Sequence, residues 1–303
     1  MEIKILRMLD HKNVIRFYGN FQDPIAFHLV LELMEGGNLL DNIVRRKRYT
    51  EEDARGICKQ MFEAVEYCHF HKVVHRDVKP ENFLISVQGH STPKIKLGDF
   101  GFATFMFIED SLEKGPGTPN YVAPEILRAQ KYGTVGSQYS IAVTCTYRCS
   151  WTHISNSYSV TAIFIYSEGY AVDMWSLGVC IYQLLRGSLP FRDSNLRNLA
   201  RQICKQEIKC HDEYWRTMSP LAKNFISLLL ERNPKERLTA KEALIHPWMT
   251  RTGKNVHLSD TMENLRIYNV KRKLRVAVFT LIAINKFMLF GFQRNVALKG
   301  LND

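Results

Sequence analysis

The sequence predicts an α+β protein whose second half is mainly helical. Strand-like runs cluster early in the chain, and apolar residues recur at the helical period from Val172 onward. The 303 residues are 46% hydrophobic and 23% charged, enough to bury a core without disulfides or metals. Those proportions exclude a disordered, collagen-like or low-complexity chain.

Taken in order, Ile3, Ile5, Leu6 and Leu9 share one helical face, which predicts a helix over residues 2–9. The runs VIRFYGNF and AFHLVLELM read as two strands joined by a polar turn at Gln22-Asp23-Pro24. Ile57, Met61, Ala64, Val65 and Cys68 predict a long helix from Asp53 to His71. Phe83 to Ser86 and Ile95 to Leu97 read as further strands, followed by a loop rich in Gly and Pro up to Pro124. Beyond Val172, Pro220, Pro234 and Pro247 mark helix starts or breaks. Residues 134–168 break the pattern. They are dense in Ser and Thr, carry only Arg148 and Glu168 as charges, and follow neither period, so they are expected to be an atypical insertion.

The net charge of +11 is uneven. From Arg266 onward stand Arg266, Lys271, Arg272, Lys273, Arg275, Lys286, Arg294 and Lys299 against the single acid Asp303, a net +7. No nucleic-acid motif or aromatic-interleaved basic face accompanies them, so the charge points to an acidic partner for the tail. Cys58, Cys68, Cys145, Cys149, Cys180, Cys204 and Cys210 have no framework or zinc spacing, which predicts reduced thiols and a cytoplasmic protein. The start of the chain has no signal-peptide run. The apolar stretch from Val276 to Phe292 is interrupted by Asn285 and Lys286, so no transmembrane segment is expected.

Three clusters carry chemistry. His75-Arg76-Asp77-Val78-Lys79-Pro80-Glu81-Asn82 comes first, then Asp99-Phe100-Gly101, then Ala123-Pro124-Glu125 behind Gly117-Thr118-Pro119. Each tripeptide alone is weak, but the ordered set is specific. Up to about Thr250 the chain resembles the Ser/Thr protein kinases, with a partial small lobe over residues 1–35 and a large lobe over 36–250. The resemblance implies ATP and Mg²⁺ as cofactors and a protein substrate with a Ser or Thr acceptor. It casts Asp77 as the base that orients the hydroxyl, Lys79 as the cation on the transferring group, Asn82 and Asp99 as magnesium ligands, and Thr118 as a tether of the substrate loop. Glu2 matches the αC glutamate. Leu31 falls at the gatekeeper, Glu32 and Met34 at the adenine hinge, and Leu84 under the base. Leu6, Phe17, His75 and Phe100 would stack between the lobes, anchored by Asp173, and Glu125 would pair with Arg237.

Departures shape the expectation further. No G-x-G-x-x-G loop and no V-A-I-K lysine are present, which implies a chain truncated at its start and weak in phosphoryl transfer. The alternative reading is a non-catalytic, kinase-like binding module. Joining Gly133 to Tyr170 restores the family pattern, so 134–168 is either a translated intron or a lineage-specific insertion. Lys114 stands where many kinases carry a phosphorylated Thr, and Arg76 could pair with Glu113, so no obligatory loop phosphorylation is expected. Asn38 replaces a Glu that reads substrate arginine while Glu81 remains, which predicts a weaker preference for Arg.

Residues 251–303 form a basic amphipathic tail, with Leu274, Val278, Leu281 and Ile282 on one stripe. It resembles the junction of the calcium-dependent protein kinases of plants and protists, and the core resembles the calcium/calmodulin-dependent group. The resemblance implies autoinhibition and calmodulin or an EF-hand protein as partner over residues 266–292. No EF-hand loop occurs in the sequence. A monomer is expected, with membrane attachment through a preceding segment left open as an alternative.

Overall fold

A computed structural model describes residues 1–86, 93–106, 118–129, 160–208, 215–251 and 257–299, with side chains described outside 129, 160–168 and 282–299. Helix α1 (Glu2–Met8) buries Ile5 and Leu6 and lies against the antiparallel hairpin of β1 (Phe17–Gln22) and β2 (Phe27–Leu31). The turn between these strands forms because Asp23 Oδ1 accepts from the amides of Ile25 and Ala26, at 2.7 and 2.8 Å.

Sequence alone missed α2 (Leu39–Arg45), whose start is set by Asn38 accepting from the Asp41 amide. Helix α3 (Glu51–Phe70) begins two residues before the expected Asp53, because Asp53 is the third helical residue of a capping box closed by Thr50. Its buried face, including Ile57, Cys58, Met61 and Val65, forms one wall of the core. Three short strand pairs carry the loops of the site: β1 with β2, β3 (Val73–Val74) with β6 (Thr104–Phe105), and β4 (Phe83–Ile85) with β5 (Ile95–Leu97). All three are antiparallel.

Helix α4 (Pro124–Ala129) follows the third motif, and α5 (Val160–Arg186) runs through the middle of the core. The backbone of 160–168 is helical and continues α5 toward its start, although the stretch shows no helical period in its sequence. The rest of the atypical segment lies outside the described residues. Residues 160–168 read VTAIFIYSE, apolar at too many positions to show the helical period that Val172 to Leu185 display. Helix α6 (Leu196–Lys205) is capped by Asn195, α7 (Pro220–Leu229) by Ser219 and α8 (Ala240–Ile245) by Thr239 with Glu242. A single turn, α9 (Pro247–Thr250), opens on His246. Pro220 and Pro247 stand in the first turns of their helices, where proline fits, whereas Pro234 lies in a turn.

The chain ends in the long helix α10 (Ser259–Lys299). Its first turns are seated on the helical half: Leu258, Met262 and Leu265 are buried, and Thr261 Oγ1 donates to the Leu185 carbonyl at 2.6 Å. Farther along, Val270, Leu274, Val278, Phe279 and Leu281 are exposed, Leu274 by 64%. Among the described residues no helix is long and apolar enough to cross a membrane. Cys58, Cys68 and Cys180 are buried free thiols and Cys204 is a half-buried one, while Cys145, Cys149 and Cys210 lie outside the described residues.

Candidate active site

The loop between β3 and β4 is bent by backbone that most residues avoid: Arg76 has φ 66°. Asp173 on α5 holds that bend. It is fully buried, and its two oxygens accept the amides of His75 (2.9 Å) and Arg76 (2.8 Å). His75 Nε2 lies 3.0 Å from the Gly98 carbonyl, and its ring meets Phe100 edge-on at 4.9 Å. The Asp77 amide donates to His75 Nδ1 at 3.3 Å, so the carboxylate of Asp77 is aimed by its own neighbour.

Both oxygens of that carboxylate are occupied. Thr118 donates to Oδ1 from its amide (3.2 Å) and its hydroxyl (3.1 Å). Lys79 Nζ donates to Oδ2 at 2.5 Å and to Thr118 Oγ1 at 3.1 Å. Asn82 Nδ2 donates to the Asp77 carbonyl at 2.8 Å and to Oδ2 at 3.2 Å, which leaves its amide oxygen as the end turned away from Asp77. Four of the five expected catalytic residues thus form one hydrogen-bonded knot.

The fifth, Asp99, follows β5. It is exposed and held at φ 55°. A Cβ on Gly101 would lie 3.4 Å from Asp99 Oδ1 and 3.9 Å from Glu2 Oε2, so the two carboxylates face the same small space. Burial, with the charge of Asp99 second, pushes the Glu2 carboxyl above its usual range. The donor set of Asp99 and the Asn82 oxygen consists of hard oxygens, which suits Mg²⁺.

The expected adenine contacts are Leu31, Glu32, Met34 and Leu84. Leu31 ends β2 and is 38% exposed. The Glu32 amide continues the pairing by donating to the Arg16 carbonyl at 2.9 Å, and its carboxylate takes Lys96 Nζ at 2.8 Å. Met34 and Leu84 are half-buried against the core. The linker of Gly36 to Asn38 pairs with β4, which brings it beside Leu84. Leu6 is buried in the core and Phe17 packs against that core. The expected pair of Arg237 and Glu125 is present at 2.7 and 3.0 Å, with the guanidinium over Trp175. Ser111, Glu113 and Lys114 lie outside the described residues, and Arg76 Nε donates to the Phe102 carbonyl at 2.7 Å.

Sequence reasoning missed two groups. Asp41 on α2 accepts from Asn269 (2.8 Å), Arg272 (3.2 Å) and Lys273 (3.0 Å) of α10, and Arg272 also reaches Glu81 at 3.3 Å. Burial would raise the Asp41 carboxyl, but the bonds from Asn269 and Lys273 and the charge of Arg272 hold it below its ordinary range. The one local signal was the N-x-x-D start of α2. The second group is His69, whose Nε2 lies 2.9 Å from Asp173 Oδ2. The extra histidine in CHFHKVVHRD was its signal.

A family model described as protein kinase domain matches residues 1–164 and 163–249. The chain is 34% identical over its whole length to calcium/calmodulin-dependent protein kinase type 1 of Macrobrachium nipponense, covering 77% of that protein. It is 35% identical over 94% of its length to the type IV kinase of Mus musculus and 34% identical over 92% to the type II alpha chain of Drosophila melanogaster. It spans about half of these last two, 53% and 46% of their lengths. All three are animal kinases.

Proposed function

The chain belongs to the protein kinase family, in the calcium/calmodulin-dependent group, and from that premise we propose that it transfers the γ-phosphoryl group of ATP to Ser or Thr hydroxyls of proteins. The observation that carries this reading is the knot of Asp77, Lys79, Asn82 and Thr118 with Asp99 presented at the end of the neighbouring strand.

In this reading Asp77 aligns the acceptor hydroxyl and takes its proton as the new O–P bond forms and the bond to the leaving ADP oxygen breaks. Lys79 balances charge beside it, and Thr118 fixes the substrate loop to the same carboxylate. Asn82 and Asp99 would hold magnesium, which when bound screens the charge of the triphosphate. Leu31, Glu32, Met34 and Leu84 would receive the adenine.

A second reading rests on a different observation: the 303 residues contain neither a G-x-G-x-x-G loop nor a V-A-I-K lysine, and the Glu2 carboxyl faces Asp99. In that reading the same fold binds partners without turnover. A MgATP titration run beside a peptide phosphorylation assay separates the two. Labelled phosphate entering the peptide, and lost in Asp77→Asn, supports the kinase; nucleotide or peptide binding with no incorporation supports the binding module; incorporation unchanged in Asp77→Asn overturns the assigned base.

Regulation follows from the tail. The inner side of α10 lies on the helical half, and Arg272 sits between Asp41 and Glu81 next to the catalytic loop, which supports an autoinhibitory role. The exposed basic and apolar remainder fits calmodulin or an EF-hand partner at 266–292, as in the calcium-dependent kinases its wording resembles. Asn38 stands where an acid would read a substrate arginine, so the preference for arginine is weaker, with Glu81 and Asp41 as the acids freed once α10 leaves. Reduced thiols support a cytoplasmic setting.

A further inference from the structure

We infer that His69 is a positioning residue for the catalytic loop, acting through Asp173. The inference deepens the kinase reading and rests on it. Asp173 is a carboxylate with 0% exposure, and a buried anion is costly unless several donors compensate it. Two of its donors are the amides of His75 and Arg76, which belong to the loop being held. A third donor is the imidazole of His69, which comes from α3, is 11% exposed at its side chain, and rests against Tyr170 at 4.7 Å. His69 is therefore the only donor named here that is anchored outside the loop, and it shares Oδ2 with the His75 amide.

The chain of contacts runs from His69 to Asp173, from Asp173 to the His75 and Arg76 amides, and from His75 Nδ1 to the Asp77 amide. The left-handed backbone at Arg76 gives the loop a reason to relax if Asp173 weakens its hold. Burial favours a protonated Asp173, while the bond and charge of His69, and then His75, hold its carboxyl below the ordinary range. The other titratable groups facing it are Arg76 in the loop and Cys68 on α3, while Tyr170 on α5 meets the His69 ring. With His69 removed, a protonated Asp173 would retain one fewer acceptor site for the loop amides.

The test reads the loop directly and needs no catalysis, so its failure is distinguishable from failure of the kinase reading. Amide hydrogen exchange of the full chain would be followed from pH 5 to 8 in the wild type, His69→Leu and His69→Gln, with folding checked by near-UV circular dichroism. The expected result is a loss of about tenfold or more in the protection factors of the His75 and Arg76 amides in His69→Leu, deepening toward acid pH. His69→Gln, which keeps an N–H donor, should recover part of it. Unchanged protection at both amides in a folded His69→Leu would overturn the inference. So would a loss that His69→Gln does not reduce, or global unfolding of both variants, since His69 would then serve the core rather than the loop.

Discussion

Glu2 and Asp99 bring two carboxylates to one small volume, and that geometry has a thermodynamic sign. A carboxyl whose folded-state pKa is raised is fully accommodated only while protonated, and the charged form costs stability as pH rises through that value. Glu2→Gln is therefore expected to raise the melting temperature at neutral pH. The gain should be a few tenths of a kcal/mol, because the side chain is largely solvent-screened, and it should fade at about pH 4. Thermal denaturation at the two pH values checks it. Asp77, Lys79 and Asn82 were legible in the sequence because one short loop holds all three. Thr118 was legible through the family resemblance. Asp41 and His69 were not, because each acts through a residue far away in the chain, Arg272 and Asp173, and no local spacing records such a meeting.

Helix α10 poses the question of what an element needs in order to stay seated. Its hold on the rest of the molecule combines apolar burial at Met262 and Leu265 with the ion pairs of Arg272. Arg272→Glu would set like charge against Asp41 and Glu81, and is expected to weaken seating by about 1 kcal/mol, the scale of half-exposed pairs. Hydrogen exchange over residues 265–281 should quicken by about fivefold. Since the Asp41 carboxyl is held below its ordinary range, its contribution is complete above about pH 4 and disappears as pH falls through the lowered folded value. The same exchange measurement as a function of pH tests this, and an Asp41→Asn chain should lose the dependence. At this scale most elements were legible, since capping boxes and apolar periods are local signals. The exceptions follow from the same logic: α2 is too short to show a period, and residues 160–168 are apolar at too many positions to show one.

Across the whole molecule, Arg237 and Glu125 tie α4 to the turn before α8, with the Arg237 guanidinium buried and also donating to the Ala171 carbonyl. Removing one side strands a buried charge. Glu125→Ala is therefore expected to cost about 3 kcal/mol and lower the melting temperature by about 6 to 12 °C. Arg237→Met with Glu125→Leu together should cost less than the single change, which calorimetry on the wild type and the two variants would show. The α+β arrangement was legible from the order of periods, and this ion pair from the family resemblance. The seat of the tail was not, because an amphipathic helix states that it has an apolar side without stating what meets it.

That helix changes character along its length: Met262, Leu265 and Asn269 are buried against the protein, while every residue from Lys273 to Leu281 is exposed. A ligand that encircles the rod as far back as its seated turns must prise them away, so gripping and parking are rival uses of those turns. Reciprocity then fixes their exchange rate: whatever factor loosens the parked form tightens the grip by the same factor, until the rod is always free. Sensitivity to such a ligand is thus set by the surface that lets go of the helix as much as by the surface that takes hold.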